Sequence, residues 1–201
     1  MKIILNVAHS NDTPGKCSPD GKFREWEYSS IICRKIAEEL KGYGYDVSTV
    51  LQKTYYGPSQ GLKQVVDDVN RLTNLAKGKA VMISIHVNAS AKAGWDTASY
   101  WCAYTTPGIT KADSLADCLY WAAEQVFWKK GRKISFGPKD SVSCDKEERF
   151  YILQKTKCPA VLTENFMQNN GKDVEYLQSA EGMADIIKVH VDGIVAYLQK
   201  A

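Results

Sequence analysis

The chain has 201 residues, of which 44% are hydrophobic and 24% are charged, and its formal net charge is +3. These values are typical of one globular domain that buries a core without disulfide or metal staples, and they exclude a low-complexity chain. No Lys/Arg cluster interleaved with aromatic residues is present, which argues against a nucleic-acid partner. No apolar stretch reaches transmembrane length, and Met1–Val7 is too short for a signal-peptide core, so we expect no membrane insertion.

Strand-like runs alternate with amphipathic helical segments along the whole chain. Strands are predicted at Lys2–Val7, Tyr45–Leu51, from Val81, at Thr97–Ala103, Phe150–Gln154 and Ala160–Thr163. Helices are predicted at Arg24–Lys41, after a cap at Ser59, after Thr110 and at Ser179–Gln199. This alternation predicts a single α/β domain over residues 1–201, with a mostly parallel, twisted sheet of about six strands flanked by helices.

Ionisable side chains follow three of the predicted strands. His9 comes just after the first strand, His86 closes the apolar run that begins at Val81, and Glu164 ends the last strand. A lone histidine after a strand is usually a hydrogen-bonded loop residue. In open α/β sheets, however, ligands bind outside the carboxyl ends of the strands, so the repeated pattern indicates a site there.

Glu25 and Glu27 lie in the first turn of the first predicted helix. The ordinary explanation is that acidic residues stabilise helix N-termini. A catalytic zinc site, however, needs three His, Asp or Glu ligands and keeps one position for water, and His9, Glu25 and His86 would supply them. Glu164 would then be the carboxylate that moves protons. His190 lies on the apolar face of the last helix and is interpreted as a packing residue.

Thiolate zinc sites are not indicated, because the six cysteines include no C-x-x-C pair.

Three segments carry a resemblance to a known family. They are Ile4–Asp12 (ILNVAHSND), Ser84–Ala89 (SIHVNA) and Pro159–Asn169 (PAVLTENFMQN). Together they resemble the Amidase_3 family, the zinc-dependent N-acetylmuramoyl-L-alanine amidases of the AmiC/CwlV type, in order from about Ile3 to Leu198.

The resemblance implies specific roles for four residues. The family's zinc ligands fall on His9, Glu25 and His86, and its catalytic glutamate falls on Glu164. Glu25 keeps the family register with the downstream Gly-aromatic-x-Val strand, whereas Glu27 would be displaced by two positions.

The resemblance also implies a three-layer, phosphorylase/hydrolase-like fold and one catalytic Zn²⁺ ion. The expected reaction is hydrolysis of the amide between N-acetylmuramic acid and L-alanine of the peptidoglycan stem peptide. The substrate would be peptidoglycan or a muropeptide, and we expect a monomer acting at the cell wall. Because no signal peptide is visible, we expect release like that of a phage endolysin, or a chain whose export signal has been removed.

Substrate contacts are expected at Asn88, Arg132 and Arg149. The polar segment Gly131–Arg149 is a candidate border of the site, with basic residues that would meet stem-peptide carboxylates. A solvated charged loop is an equal alternative.

Two other functions stay open at this point. One is a zinc peptidase on a related fold, and the other is a catalytically inactive peptidoglycan-binding module. The second is kept open by departures beside His9, where Ala8 and Ser10 replace family glycines and Asn6 replaces the usual aspartate. A carboxylate expected to orient the His9 ring is therefore absent.

Overall fold

The computed structural model describes residues 1–54, 60–138 and 143–200. Six strands within these ranges form one sheet. The strands are β1 (Lys2–Val7), β2 (Asp46–Val50), β3 (Ala80–Asn88), β4 (Trp101–Thr105), β5 (Lys146–Glu147) and β6 (Ala160–Met167). Their order is β2-β1-β3-β6-β4-β5. The first four of these are parallel, β4 runs antiparallel to β6, and β5 is parallel to β4.

Helices cover both faces of the sheet. They are α1 (Glu25–Gly42), α2 (Gln60–Leu75), α3 (Asp113–Phe127), α4 (Tyr151–Lys155), α5 (Gly171–Gln178) and α6 (Ala180–Lys200). Alternate residues of β1 separate the two cores: Ile3 and Leu5 pack with α1, α3 and α6, and Ile4 packs with α2 and α4. The predicted three-layer α/β fold is confirmed.

The carboxyl ends of β1, β3 and β6 meet at one edge of the sheet, because these strands are parallel neighbours. Asn6 pairs in register with Ser84, and His86 pairs with Glu164. Since side chains alternate along strands, all four point to the face covered by α2 and α4. The fold therefore concentrates the polar strand ends at one place.

Two local predictions differ from the structure. Phe150–Gln154 is not a strand: Tyr151–Lys155 forms the short helix α4, with Ile152 and Leu153 buried. Five residues are too few to distinguish a helical period from a strand. The fourth strand lies a few residues later than predicted, at Trp101–Thr105. Ser59, the predicted cap of α2, lies outside the described residues.

Within the described ranges, no helix is both long and apolar enough to cross a bilayer.

Candidate metal centre

Two imidazoles and one carboxylate converge at the carboxyl edge of the sheet. His9 follows β1, Glu25 is the first residue of α1, and His86 lies near the end of β3. Their ligand atoms all lie within 4.8 Å of one another. Nε2 of His9 is 3.2 Å from Oε2 of Glu25, and Nδ1 of His86 is 3.0 Å from Oε1. The two rings are nearly perpendicular, at 88°.

Glu25 is the centre of this group, with only 1% of its surface exposed. Burial acts to raise the pKa of its carboxyl, but the close contacts of its two oxygens with the His86 and His9 rings outweigh burial and hold that pKa well below its usual range. The backbone N–H of Val87 also donates to Oε1 of Glu25, at 3.1 Å. Burial lowers the pKa of His86, against the opposing effect of Glu25. The group therefore combines an ionised carboxylate with a neutral ring.

The backbone at His9 is left-handed, with φ of 57°. This conformation is uncommon for non-glycine residues, although histidine is among those that tolerate it. The following turn is held by Ser10, whose N–H donates to Oγ1 of Thr13 at 3.0 Å and whose carbonyl accepts from the Thr13 N–H at 3.1 Å. The turn thus directs the His9 ring to Glu25 with Ala8 and Ser10 on either side of it.

A hydroxyl on α1 ties the two histidine-bearing strands together. Ser29 Oγ accepts from the backbone N–H of Ala8 at 3.0 Å and donates to the carbonyl of Ile85 at 2.6 Å. Ala8 precedes His9, Ile85 precedes His86, and Ser29 lies one turn after Glu25. A buried serine on a helix carries no sequence signal of this role, and the sequence analysis missed it.

Glu164 lies beside the group but outside it. Its side chain is in register with His86, and its Oε2 atom is buried with no hydrogen-bond partner among the described residues. Burial raises the pKa of Glu164 well above its ordinary value, and the charge of Glu25 raises it further, while Lys16 acts in the opposite direction. A half-buried carboxyl with one buried oxygen that has no hydrogen-bond partner among the described residues is suited to exchanging a proton with a reactant.

A cavity of about 320 Å³ opens beside these residues. Its lining includes His9, Glu25, His86, Asn88 and Glu164, together with Lys16 and an apolar wall made of Leu62, Val65, Ile152 and Leu162. Lys16 is the one Lys or Arg that lines it within the described part of the chain. The sequence analysis missed Lys16, which sits in a loop without a recognisable motif.

The three predicted substrate contacts have different positions. Asn88 lines the cavity and donates to the Tyr100 hydroxyl at 3.4 Å. Arg149 is exposed and directly precedes Phe150, which does line it.

Arg132 lies away from the cavity. Its guanidinium stacks on the Tyr176 ring at 3.2 Å and lies 3.6 Å from Oδ1 of Asp173. None of residues 131–138 and 143–149 lines the cavity, because the segment runs along β4 and β5, beyond β6 at the sheet edge. Residues 139–142 lie outside the described residues. The border predicted at Gly131–Arg149 thus finds no support in the described positions.

His190 is fully buried, with Nδ1 at 2.7 Å from the Ile186 carbonyl and Nε2 at 2.9 Å from Oγ1 of Thr163, so its packing role is confirmed.

The Asn6 side chain does not orient the His9 ring. It bonds to Ser84, and Ser84 contacts His86. The departure at Asn6 therefore concerns the other imidazole.

Comparison with known proteins places the chain among cell-wall amidases. Residues 3–196 match the Amidase_3 family, described as N-acetylmuramoyl-L-alanine amidase. The N-acetylmuramoyl-L-alanine amidase CwlM of Bacillus licheniformis is 28% identical over 199 residues, which covers 96% of this chain and 67% of that protein.

Solved structures of such enzymes share the fold. AmiC2 of Nostoc punctiforme, an N-acetylmuramoyl-L-alanine amidase, has a TM-score of 0.76 at 18% identity, covering 99% of this chain and 97% of that one. The catalytic domain of the CD27L endolysin, targeting Clostridia Difficile, has a TM-score of 0.70 at 21% identity, covering 98% and 97%.

Proposed function

The chain belongs to the Amidase_3 family of N-acetylmuramoyl-L-alanine amidases, and on that premise we propose that one zinc ion, held by His9, Glu25 and His86, serves its reaction. The enzyme is an amidase that acts on peptidoglycan. The proposed bond is the amide between N-acetylmuramic acid and L-alanine of the stem peptide. The observation that carries the proposal is the convergence of three ligand atoms within 4.8 Å beside Glu164, a half-buried fourth residue that lines the same cavity.

The donor set fits zinc. Two imidazole nitrogens and a carboxylate oxygen are ligands that catalytic zinc sites use, with a further position left for water or substrate. Glu25 is an ionised carboxylate in a buried position, and burying a charge is costly unless it is compensated. A cation between the three residues provides that compensation. When bound, zinc supplies Lewis-acid polarisation of the scissile carbonyl and acidifies water to a pKa of about 7.

Glu164 is proposed to move the proton. Its free Oε2 atom accepts a proton from the attacking water, and the resulting carboxylic acid passes that proton to the leaving amine of L-alanine. Burial, which raises the pKa of Glu164, makes the protonated form a usable donor at this second step. The apolar wall beside Leu162 limits the access of bulk water to the exchange.

Substrate binding is proposed to use the cavity lining. Lys16 is positioned to meet a carboxylate of the stem peptide, and the Asn88 amide to meet its peptide groups. Arg149, next to Phe150, is proposed to reach more distant parts of a longer substrate. Arg132 is left out, because the Tyr176 ring and Asp173 already occupy its guanidinium.

We place this activity at the cell wall, where the substrate is. Since the proposed ligands and Glu164 come from one chain, a monomer suffices for the reaction. A phage-endolysin role remains the more specific proposal, and the similarity to the CD27L catalytic domain supports it.

The proposal is tested by digestion of purified peptidoglycan, with zinc content measured on the same sample before and after chelation. We expect stem peptides with a free L-alanine amino terminus, identified by mass spectrometry, lost on chelation and restored by zinc. Cleavage of ordinary peptides in place of that product would indicate a zinc peptidase. Turnover that persists in fully zinc-free protein would refute the metal assignment.

A further inference from the structure

Asn6, Ser84 and His86 form a buried chain of hydrogen bonds that ends at a main-chain carbonyl. Nδ2 of Asn6 lies 3.3 Å from the carbonyl oxygen of Val50, and Oδ1 of Asn6 lies 2.6 Å from Oγ of Ser84. Ser84 Oγ in turn lies 3.0 Å from Nε2 of His86. Asn6 is 2% exposed and Ser84 is fully buried, so these groups have few partners other than one another.

The Val50 carbonyl determines the direction of every bond in the chain. A carbonyl only accepts, so the Asn6 atom facing it must be the amide NH₂. The opposite amide flip would set two acceptor oxygens against each other. The Asn6 oxygen therefore faces Ser84 and can only accept, so the hydroxyl must donate to it. With its hydrogen used, Ser84 Oγ can only accept from His86, whose Nε2 must then carry a hydrogen.

We propose that Asn6 and Ser84 are positioning residues that hold His86 as the Nε2–H tautomer, so that the lone pair of Nδ1 faces Glu25 and His9. The inference rests on the proposed zinc site, because an imidazole binds a metal through its unprotonated nitrogen. A hydrogen bond to the other ring nitrogen selects the tautomer and fixes the ring orientation. Here that selection comes from two neutral side chains and a backbone carbonyl.

The Nε2–H tautomer makes the contact between His86 and Glu25 unfavourable unless a cation is bound. With Nε2 protonated, Nδ1 of neutral His86 and Oε1 of Glu25 are two acceptors only 3.0 Å apart. The Val87 N–H donates to Oε1 separately, and neither Oε1 nor the unprotonated Nδ1 has a hydrogen to place between these two atoms. The contact is satisfied when a cation lies between the two atoms. The hydrogen bonds from Val50 to His86 thus orient the His86 ring for metal binding, and they destabilise the metal-free protein.

Asparagine at position 6 is central to the proposal. It supplies an acceptor for Ser84, and its NH₂ group also locks that acceptor in place by donating to Val50. An aspartate would keep the acceptor but lose the donor. Asn6→Asp is therefore expected to preserve the tautomer, whereas Asn6→Leu, which removes both, is not.

The test is ¹⁵N NMR of the histidine rings in metal-free protein at about pH 8.5, well above the ordinary histidine pKa of about 6.5. The His86 signals are assigned by their loss in His86→Gln. We expect Nε2 protonated and Nδ1 unprotonated in the wild type and in Asn6→Asp. Asn6→Leu and Ser84→Ala are expected to show a tautomer mixture. Ser30→Ala, which removes an α1 hydroxyl that has no hydrogen-bond partner among the described residues, is the matched control and should retain the wild-type tautomer.

Zinc affinity by competition with a chromophoric chelator provides the second readout. We expect Asn6→Leu and Ser84→Ala to bind zinc roughly 10- to 100-fold more weakly than the wild type, with Asn6→Asp recovering most of the loss. His86 protonated at Nδ1 in the wild type, or a tautomer unaffected by both Asn6→Leu and Ser84→Ala, would overturn the inference. A wild type that shows the expected tautomer but binds no zinc would instead overturn the proposed function.

Discussion

Glu25 and Glu27, two positions apart in the first turn of α1, have opposite environments. Two residues correspond to a rotation of about 200° around a helix axis, so the side chains leave on opposite sides. Glu25 is buried between two imidazoles, whereas Glu27 is exposed, 3.9 Å from Arg24. The first is positioned for metal binding and the second for the helix dipole. The favourable interaction of acidic residues with a helix N-terminus would explain both glutamates. In the sequence, only the alignment with the family's motif distinguished Glu25 from Glu27.

Lys16 is expected to act on substrate binding. Replacing it by methionine removes the cation from the cavity and should raise KM for a muropeptide roughly tenfold, about 1.4 kcal/mol, with a smaller change in kcat. Lys16→Arg should recover part of the loss. Steady-state kinetics on a soluble muropeptide measures both constants.

The control for Lys16 is Lys22→Met, in the same loop but exposed and outside the cavity lining. An unchanged KM in Lys16→Met, or an equal increase in Lys22→Met, would contradict a specific contact.

The site residues differ in how far the sequence could predict them. His9, His86 and Glu164 follow strands, and their grouping follows from the parallel sheet. Lys16 could not be predicted, because it reaches the cavity through an irregular loop whose path no local pattern specifies. The partner of Asn6 could not be predicted either, since it depends on which strand lies beside β1.

At the scale of elements, the Ser29 hydroxyl of α1 bonds both to the residue that follows β1 and to β3. Ser29→Ala leaves the Ala8 N–H and the Ile85 carbonyl without their partner in a buried position. We expect the free energy of unfolding to fall by about 2 kcal/mol, as for a buried hydrogen-bonding group left unsatisfied. Chemical denaturation measures the change.

Ser30→Ala provides a matched control for this prediction. The neighbouring Ser30 hydroxyl has no hydrogen-bond partner within the described ranges, so its removal should change stability by less than about 0.5 kcal/mol. Equal effects of the two substitutions would show that Ser29 does not link the elements.

Long elements were predictable and short ones were not. α1 and α6 have sustained apolar periodicity, and both lie within about one residue of the predicted bounds. α4 has five residues and β5 has two, so neither presents a full period in the sequence. Their structure follows from packing against α2 and β4, which is non-local.

At the scale of the whole molecule, one buried histidine couples stability to pH. Burial lowers the pKa of His190 to about 4, whereas an unfolded chain has a value near about 6.5. Between these values the unfolded state binds more protons than the native state, so stability falls as pH falls. His190 should cost about 2 kcal/mol of stability by about pH 5 relative to about pH 7.5.

Denaturation of the wild type and His190→Gln at both pH values tests this dependence. We expect the difference in unfolding free energy between the two proteins to shift in favour of the variant at the lower pH. Since His9 and His86 are common to both, they cancel in the comparison. A difference that does not change with pH would contradict the assignment.

The sheet shows the limit of sequence-based prediction for the whole fold. Alternating strands and helices predict a mostly parallel α/β sheet, and the structure has one. The strand order, and the antiparallel direction of β4, depend on contacts between distant segments that periodicity does not encode. Because the carboxyl ends of β1, β3 and β6 meet at one edge of the sheet, the polar residues that follow these strands come together at the candidate metal centre.

The central claim is a division of labour, in which His9, Glu25 and His86 hold zinc and Glu164 moves the proton. The most direct measurement is zinc content and turnover on the same preparations of wild type, Glu164→Ala and Glu25→Ala, with Glu27→Ala as control and circular dichroism to confirm folding.

We predict that Glu164→Ala keeps one zinc per chain and loses at least about 10²-fold in turnover, that Glu25→Ala loses both, and that Glu27→Ala keeps both. Wild-type turnover in Glu164→Ala, or full zinc content in Glu25→Ala, would contradict this account.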